Sequence, residues 1–446
     1  MKPVLLCSFY LCLFCNISNS QIIWDYDNPI DVAESSYGNF CPRLVLDSFG
    51  NPKVFFGKVG IGLFVANGVG DTFDLPLLIP NTENIFLSNT NGPDISINGE
   101  SIGIVYKSSD QENTSIKYQK SNDLGYSWDN PVEIFEGKNM SLSIPMFDFD
   151  DLGNPFIFLK VGEYPNVIEG FIKSNDEGET FLPFSNSNIN VGSGISCECC
   201  PSNPFYYNNR FYNIYRRNEN NIRDFWLISS VDGQLWDEQI DIDFNDWFIQ
   251  GCPSSGASTS ILSENQIASV FMSSQNSNQR IYINLFNPTD TENISTYMLI
   301  PDQFQEVNQN HPNISSNYSH SAVVWEEFDN GFKVKLTITQ NENIYDGFTN
   351  SIYNLSENIM GSNRYPKVRI FNDKIHVIWQ NSLDGTIKYL KGTITNTSQI
   401  SQESTFESKK LIKVINALGQ EVSQTNNQIL FFVYDDGSIQ KKIIID

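Results

Sequence analysis

The sequence predicts an all-β fold, a β-propeller of seven four-stranded blades, on three observations. A proline recurs at intervals of about 50 residues. Behind each proline stands the same order of short strand, turn and apolar strand. A stretch near the N-terminus matches the outer strand that the last repeat lacks.

The prolines are Pro42, Pro93, Pro145, Pro201, Pro253, Pro312 and Pro366, spaced by 51, 52, 56, 52, 59 and 54 residues. Such a period is that of propeller blades, each too small to bury its own faces and so stacked on its neighbours. Turn-forming residues follow the first strand, as in Asp47-Ser48-Phe49-Gly50-Asn51, Asn98-Gly99, Asp151-Leu152-Gly153-Asn154 and Asn372-Asp373. The second strand is then an almost unbroken apolar run: Val54-Phe55-Phe56, Phe156-Ile157-Phe158-Leu159, Ala322-Val323-Val324-Trp325 and Ile375-His376-Val377-Ile378-Trp379 are examples. A run without alternation means burial on both faces, which suits a strand between two neighbouring blades. Third strands are clear at Ile116-Lys117-Tyr118 and Ile387-Lys388-Tyr389, and the fourth is shorter and more polar, as an outer edge should be. The seventh repeat ends after its third strand, near Thr395. Trp24-Asp25-Tyr26-Asp27-Asn28-Pro29-Ile30 resembles Trp128-Asp129-Asn130-Pro131-Val132, a fourth strand, so residues 22–33 are expected to close the ring.

The turn from third to fourth strand carries the most specific motif. Ser121 to Trp128 and Ser174 to Phe181 both fit S-x-D-x-G-x-[ST]-[WF], and Ser230 to Trp236 is a copy one residue short. The expected roles are structural. Asp123, Asp176 and Asp232 close the turn onto backbone N–H groups. Gly125 and Gly178 take a conformation other residues resist. Trp128, Phe181 and Trp236 plug the blade. On these turns and the repeat, residues from about 21 to about 395 resemble the sialidase-type, or BNR-repeat (Asp-box), propeller family. The resemblance implies fold rather than activity, and it makes six blades the alternative, since sialidases use six.

The termini predict export. Lys2, an apolar run from Val4 to Phe14, and small residues at Ser18 and Ser20 form a signal peptide cleaved near Ser20. The run is too short to span a bilayer, and no later segment reaches the roughly 18 apolar residues that would, so no transmembrane segment is expected after cleavage. At the other end, Asn416-Ala417-Leu418-Gly419-Gln420-Glu421-Val422, Tyr434-Asp435-Asp436-Gly437-Ser438 and the final apolar run are similar to the C-terminal sorting domain of the Bacteroidetes type IX secretion system. That resemblance implies a small β-sandwich-like segment at 409–446 that addresses the type IX machinery, a secreted or outer-membrane-surface location, and a polar linker at 396–408.

A formal net charge of -24 argues against nucleic acid and anionic lipid as partners. Of eight cysteines, Cys41, Cys197, Cys199, Cys200 and Cys252 survive signal cleavage, and an exported chain predicts disulfides with one thiol over.

The repeat also locates a candidate site. In a propeller, the starts of the innermost strands and the ends of the second strands surround the mouth of the central channel. The residues just before the repeat prolines are Cys41, Gly92, Ile144, Cys200, Cys252, His311 and Tyr365. Arg43 follows the first proline. The ends of second strands add Lys107, Lys160, Arg216, Arg217, Glu326, Glu327 and Gln380. Pockets where a few polar groups converge are the default binding site. Cys197 or Cys199 pairs with Cys252 across adjacent blades, or the thiols and His311 hold a soft metal. Arg216, Arg217 and Arg223 anchor an anionic sugar by bidentate contacts, or brace the loop after blade 4. Sialidase catalysis is not carried over. Its arginine triad and nucleophilic tyrosine have no assignable counterparts, and the early motif reads Cys41-Pro42-Arg43. The expected function is a surface propeller that binds glycan or protein at its channel mouth, without a cofactor. The alternatives are a glycan-active hydrolase or lyase, with Glu326 and Glu327 as candidate carboxyls, and a metal binder using the cysteine ring.

Overall fold

The computed structural model describes residues 19–397 apart from 111–113, 138–139, 164–165, 188–195, 276–277, 289, 302–306, 346 and 350, and residues 411–443 apart from 417–418, 423–428 and 435–438. Most of the expected signal peptide and of the expected linker lies outside the described residues. The chain divides into two compact units, one spanning Asn19–Asn396 and one containing the C-terminal segment. The first is a ring of seven four-stranded antiparallel blades, which excludes the six-bladed alternative. The second holds a three-stranded antiparallel sheet of Leu411–Asn416, Ile429–Tyr434 and Ile439–Ile443. No helix among the described residues is long and apolar enough to cross a membrane.

The innermost strands of blades 1 to 7 are Phe40–Leu46, Asp94–Asn98, Met146–Phe149, Asn203–Tyr207, Ser258–Ser263, Asn308–Ser316 and Asn363–Phe371. Each packs against the inner strands on either side, and that of blade 7 returns to blade 1. Side chains stitch them together: Asp94 Oδ2 accepts from Phe147 N (3.1 Å), Ser258 Oγ from Ile314 N (3.2 Å) and Asn313 Oδ1 from Val368 N (2.9 Å). Blade 7 is completed by Asn19–Trp24 and Ile30–Asp31, which pair with Ile387–Thr397. That third strand runs two residues beyond Thr395. The core lies between blades: the second strands Pro155–Val161 and Gln266–Ser273 are buried almost throughout, as unbroken apolar runs require.

The three motif turns share one wiring. Asp123 Oδ1 accepts from Ser127 N (2.8 Å), and Asp176 Oδ1 from Thr180 N (2.9 Å). Asp232 Oδ1 takes Gln234 N (2.8 Å) and Leu235 N (2.9 Å) in the shorter copy. The hydroxyl and amide of Thr180 hold the Asp176 carboxyl down to about 2. Each aromatic packs on the preceding blade: Trp128 on Phe55 (6.3 Å between centroids), Phe181 on Tyr118 (5.3 Å) and Trp236 on Phe158 (5.4 Å).

Gly125 and Gly178 have the same φ of +88°, but their surroundings differ. A Cβ on Gly125 would lie 3.6 Å from its nearest neighbour, whereas one on Gly178 would lie 2.5 Å from Tyr118 Cε1. Gly125→Ala is therefore expected to cost about 1 kcal/mol through backbone strain alone. Gly178→Ala should cost about 2–3 kcal/mol, because overpacking adds to the strain. Denaturant midpoints of the two variants check this; equal shifts would refute it.

Candidate functional site in the central channel

The inner strands open with an unusual device. Cys41, His311 and Tyr365, each just before a repeat proline, have φ of +51°, +47° and +57°. Each sits in a register shift of its strand pair, between Phe40 and Arg43, Asn310 and Asn313, and Arg364 and Lys367. Positive φ at bulky residues is sterically costly and tends to gather at functional sites. After each bulge the strand resumes its period of two, and the residues one and three places beyond the proline face the channel. Arg43, Asp94, Asn313 and Lys367 occupy the first of these positions; Ser96, Asp148, Ser315 and Arg369 occupy the second. Together with His311 and Tyr365 they line a cavity of about 400 Å³.

Charge is concentrated here. Arg43 Nε lies 3.4 Å from Asp94 Oδ1, and Asp148 Oδ1 accepts from Ser96 Oγ (2.8 Å). Arg369 Nη1 donates to Asn313 Oδ1 (3.1 Å) and to the Val368 carbonyl (2.7 Å). Burial, reinforced by Arg43 and Arg369, pushes the Lys367 ammonium down to about 7. Burial raises the Asp148 carboxyl to about 6 and also raises that of Asp94 against the pull of Arg43. His311 and Tyr365 meet edge to face, centroids 4.9 Å apart. Burial takes His311 down to about 4 and raises the Tyr365 phenol, so near neutral pH the imidazole is neutral and the phenol protonated.

Behind this pair lies Glu326, only 1% exposed. Its carboxylate accepts from Arg364 Nη2 (2.6 Å), Arg364 Nε (3.2 Å) and Tyr365 N (3.2 Å), with His311 Nε2 at 3.7 Å. Arg364 also stacks on Phe332 at 3.8 Å. Glu326 thus holds the two bulges in place and is not among the residues lining the cavity. Glu327 is buried too, accepting from Gln309 Nε2 (3.1 Å). The two candidate glutamates are packing residues of blade 6; among the described residues, the carboxyls that line the cavity are Asp94 and Asp148.

The other expected mouth residues divide similarly. Arg43, His311 and Tyr365 line the cavity. Gln380 Nε2 donates to Oδ1 of Asn89, itself a lining residue, at 3.1 Å. Cys41 is fully buried in the wall. Lys107 Nζ donates to the Leu142 carbonyl (2.6 Å). Lys160 is buried, its Nζ donating to the carbonyls of Cys197 (2.8 Å) and Cys200. Arg216 is sandwiched with Phe225 (4.0 Å) and Trp247 (5.3 Å) and donates to the carbonyls of Arg223 and Met272. Arg217 lies over Trp226 (4.2 Å) and pairs with Glu219. These arginines brace blade 4 and its loop. Cys199 and Cys252 form a disulfide across blades 4 and 5, leaving Cys41, Cys197 and Cys200 as thiols among the described residues. The Cys200 thiol's hydrogen bond holds Cys197 down to about 5.

No protein-family model matches this chain, and no curated protein does. Among solved structures, it is similar to an ulvan lyase of a polysaccharide lyase family, PL25, bound to -[GlcA(1-4)Rha3S]-. The TM-score is 0.51 and identity 11%, over 83% of this chain and 95% of that one. A protein of unknown function from Dyadobacter fermentans gives a TM-score of 0.47 at 12% identity, over 84% and 98%. Trypanosoma rangeli sialidase gives 0.46 at 13% identity, over 84% of this chain and 59% of that one. At 11% identity the likeness to the lyase is one of fold.

Proposed function

We propose that this chain is an exported propeller that binds an anionic glycan in its central channel and cleaves it there. The observation that carries this reading is the convergence of Arg43, Lys367 and Arg369 on one cavity in a chain of net charge -24. Half-buried cations lining a cavity are suited to carboxylate or sulfate groups, the guanidinia through paired hydrogen bonds. The polysaccharide-lyase fold of a structural neighbour agrees with a uronate-bearing ligand. Export rests on the N-terminal residues and on the likeness of residues 409–446 to a type IX sorting domain.

The chemistry best matched to the site is β-elimination. A neutral base removes the proton next to the uronate carboxylate, cations stabilise the developing enolate, and an acid protonates the leaving oxygen. His311 is the neutral base, Tyr365 the proton donor, and the three cations the electrostatic partner. Hydrolysis is the second reading, favoured by Asp148, whose carboxyl titrates near 6 beside Asp94.

The test is incubation with uronate-containing and sulfated polysaccharides and mass spectrometry of the products. Elimination gives unsaturated uronates, two hydrogens and one oxygen lighter than hydrolytic ends. Lys367→Ala is expected to lower affinity at least tenfold. With the native residue, affinity should fall as pH rises above about 7, because Lys367 loses its proton there. Lys367→Arg should flatten that limb, since arginine stays charged. Native affinity in Lys367→Ala together with a native pH dependence in Lys367→Arg would move the ligand out of the channel.

A further inference from the structure

Four sulfur atoms gather where the loop before the blade 4 inner strand meets the segment before that of blade 5. Cys197 Sγ lies 3.5 Å from Cys199 Sγ and 3.5 Å from Cys200 Sγ. All three lie within 4.8 Å of one another, and Cys252 is bonded to Cys199. A tetrahedral ion with metal–sulfur bonds of about 2.3 Å places its sulfurs about 3.8 Å apart. The Cys197 contacts are within a few tenths of an ångström of that edge length. Cys197 and Cys200 are buried, Cys199 is half-buried and Cys252 is exposed, and four sulfurs would complete a structural site with no open position.

The surroundings are suited to an anionic centre. Four thiolates on a divalent ion carry two net negative charges. Arg223 Nη1 donates to Cys197 Sγ at 2.8 Å, and Lys160 and Arg216 lie close enough to act on the same sulfur. Among the described residues, the buried Nε atoms of Arg216 and Arg223 have no hydrogen-bond partner. Buried donors beside a thiolate cluster fit the surroundings that tune and neutralise metal–thiolate centres.

We propose that Cys197, Cys199, Cys200 and Cys252 form a tetrathiolate site for a soft divalent ion of the zinc type, and that the Cys199–Cys252 disulfide is the metal-free, oxidised form of the same site. In loading, four thiols bind one ion and release four protons. From the oxidised form, a dithiol first reduces the disulfide, supplying two electrons and two protons and leaving as its own cyclic disulfide. Either form ties blade 4 to blade 5, and Pro201, Ser202 and Ser254, in the cavity lining, adjoin it in sequence.

Cobalt(II) is the probe, because tetrahedral cobalt–thiolate absorbs strongly in the visible. The purified chain, reduced with a dithiol that is then removed, is expected to take up one cobalt per chain with these bands, and zinc should bleach them. The unreduced chain should show none. Cys252→Ser cannot form the disulfide, so it should bind cobalt without reductant through three sulfurs, with weaker charge-transfer bands. Cys197→Ser and Cys200→Ser should each lower cobalt affinity at least tenfold, while Cys41→Ser, on blade 1, should leave the spectrum unchanged. Circular dichroism confirms that each variant keeps its sheet. Absence of cobalt bands in both the reduced chain and folded Cys252→Ser overturns the proposal, as do bands that survive loss of Cys197 and Cys200.

Discussion

A chain that begins at Ala33 is expected to lose cooperative folding, whereas one that begins at Gln21 should keep it. The residues between supply the fourth strand of blade 7. Ile22 is buried in the core between blades 6 and 7, and its N donates to the Tyr353 hydroxyl at 3.0 Å. Trp24 packs edge to face on Tyr353, at 6.0 Å. Val32 is buried against blades 7 and 1. Asp25 N and Val32 N donate to the Lys391 and Ile387 carbonyls, and Asp31 meets both Thr386 Oγ1 and Lys388 Nζ at 2.8 Å. Each buried side chain contributes about 1.5–3 kcal/mol and each hydrogen bond about 1 kcal/mol. The sum, roughly 8 kcal/mol, is comparable to the whole stability of a typical domain. Deletion also exposes the edge of Ile387–Thr397 to pairing with other chains. Thermal unfolding with size-exclusion chromatography is the measurement. The shortened chain should elute as aggregate without a transition, and adding a peptide of residues 21–33 should restore one. A cooperative transition within a few degrees of the longer chain would mean that the ring closes without this strand.

The closing strand could be read from the sequence because it carries the same residue order as a strand already placed. The ring could be read because each second strand must be apolar on both faces. That same property misled the search for the site. A charge at the end of a strand sandwiched between blades is drawn into the packing, and Lys160, Arg216, Glu326 and Glu327 all went that way. The inner strand borders the channel as well as its neighbours, and its alternation was in plain view. One place beyond the prolines stand Arg43, Asp94 and Lys367; three places beyond stand Asp148 and Arg369. Arg43 was already placed at the mouth; applying the period of two to the inner strand would have added Asp94, Asp148, Lys367 and Arg369. The bulges at His311 and Tyr365 leave no mark in composition, because they are held by Glu326, on the second strand of blade 6, and by its contacts with Arg364 and the Tyr365 amide of blade 7. The cysteines announced a bond, but only the fold selects Cys199 over Cys197 as the partner of Cys252.

Replacing Glu326 by alanine is expected to destabilise the protein by about 3 kcal/mol and to abolish turnover. Removing one partner of a buried ion pair leaves the other charge desolvated and uncompensated; here Arg364 would lose both of its contacts to the carboxylate. Arg364 retains some solvent contact, its side chain being 28% exposed, which keeps the cost at the low end of the range. The Tyr365 amide, held in a positive-φ conformation, would lose its acceptor as well. Glu326→Gln keeps the shape and one acceptor, so it should fold, with about half the loss of stability avoided through the retained hydrogen bonds. Its effect on function separates positioning from direct chemistry. On the proposed function, glycan affinity, which that reading assigns to Arg43, Lys367 and Arg369, should change less than twofold, while turnover falls at least tenfold as His311 and Tyr365 lose their support. Glu326 also raises the His311 pKa through its charge. In Glu326→Gln the His311 titration, followed by NMR, should therefore move further below about 4, and the acidic limb of the pH–rate profile should move with it. A glutamate that itself transferred the proton would instead take that limb away altogether when replaced, while the His311 titration moved all the same.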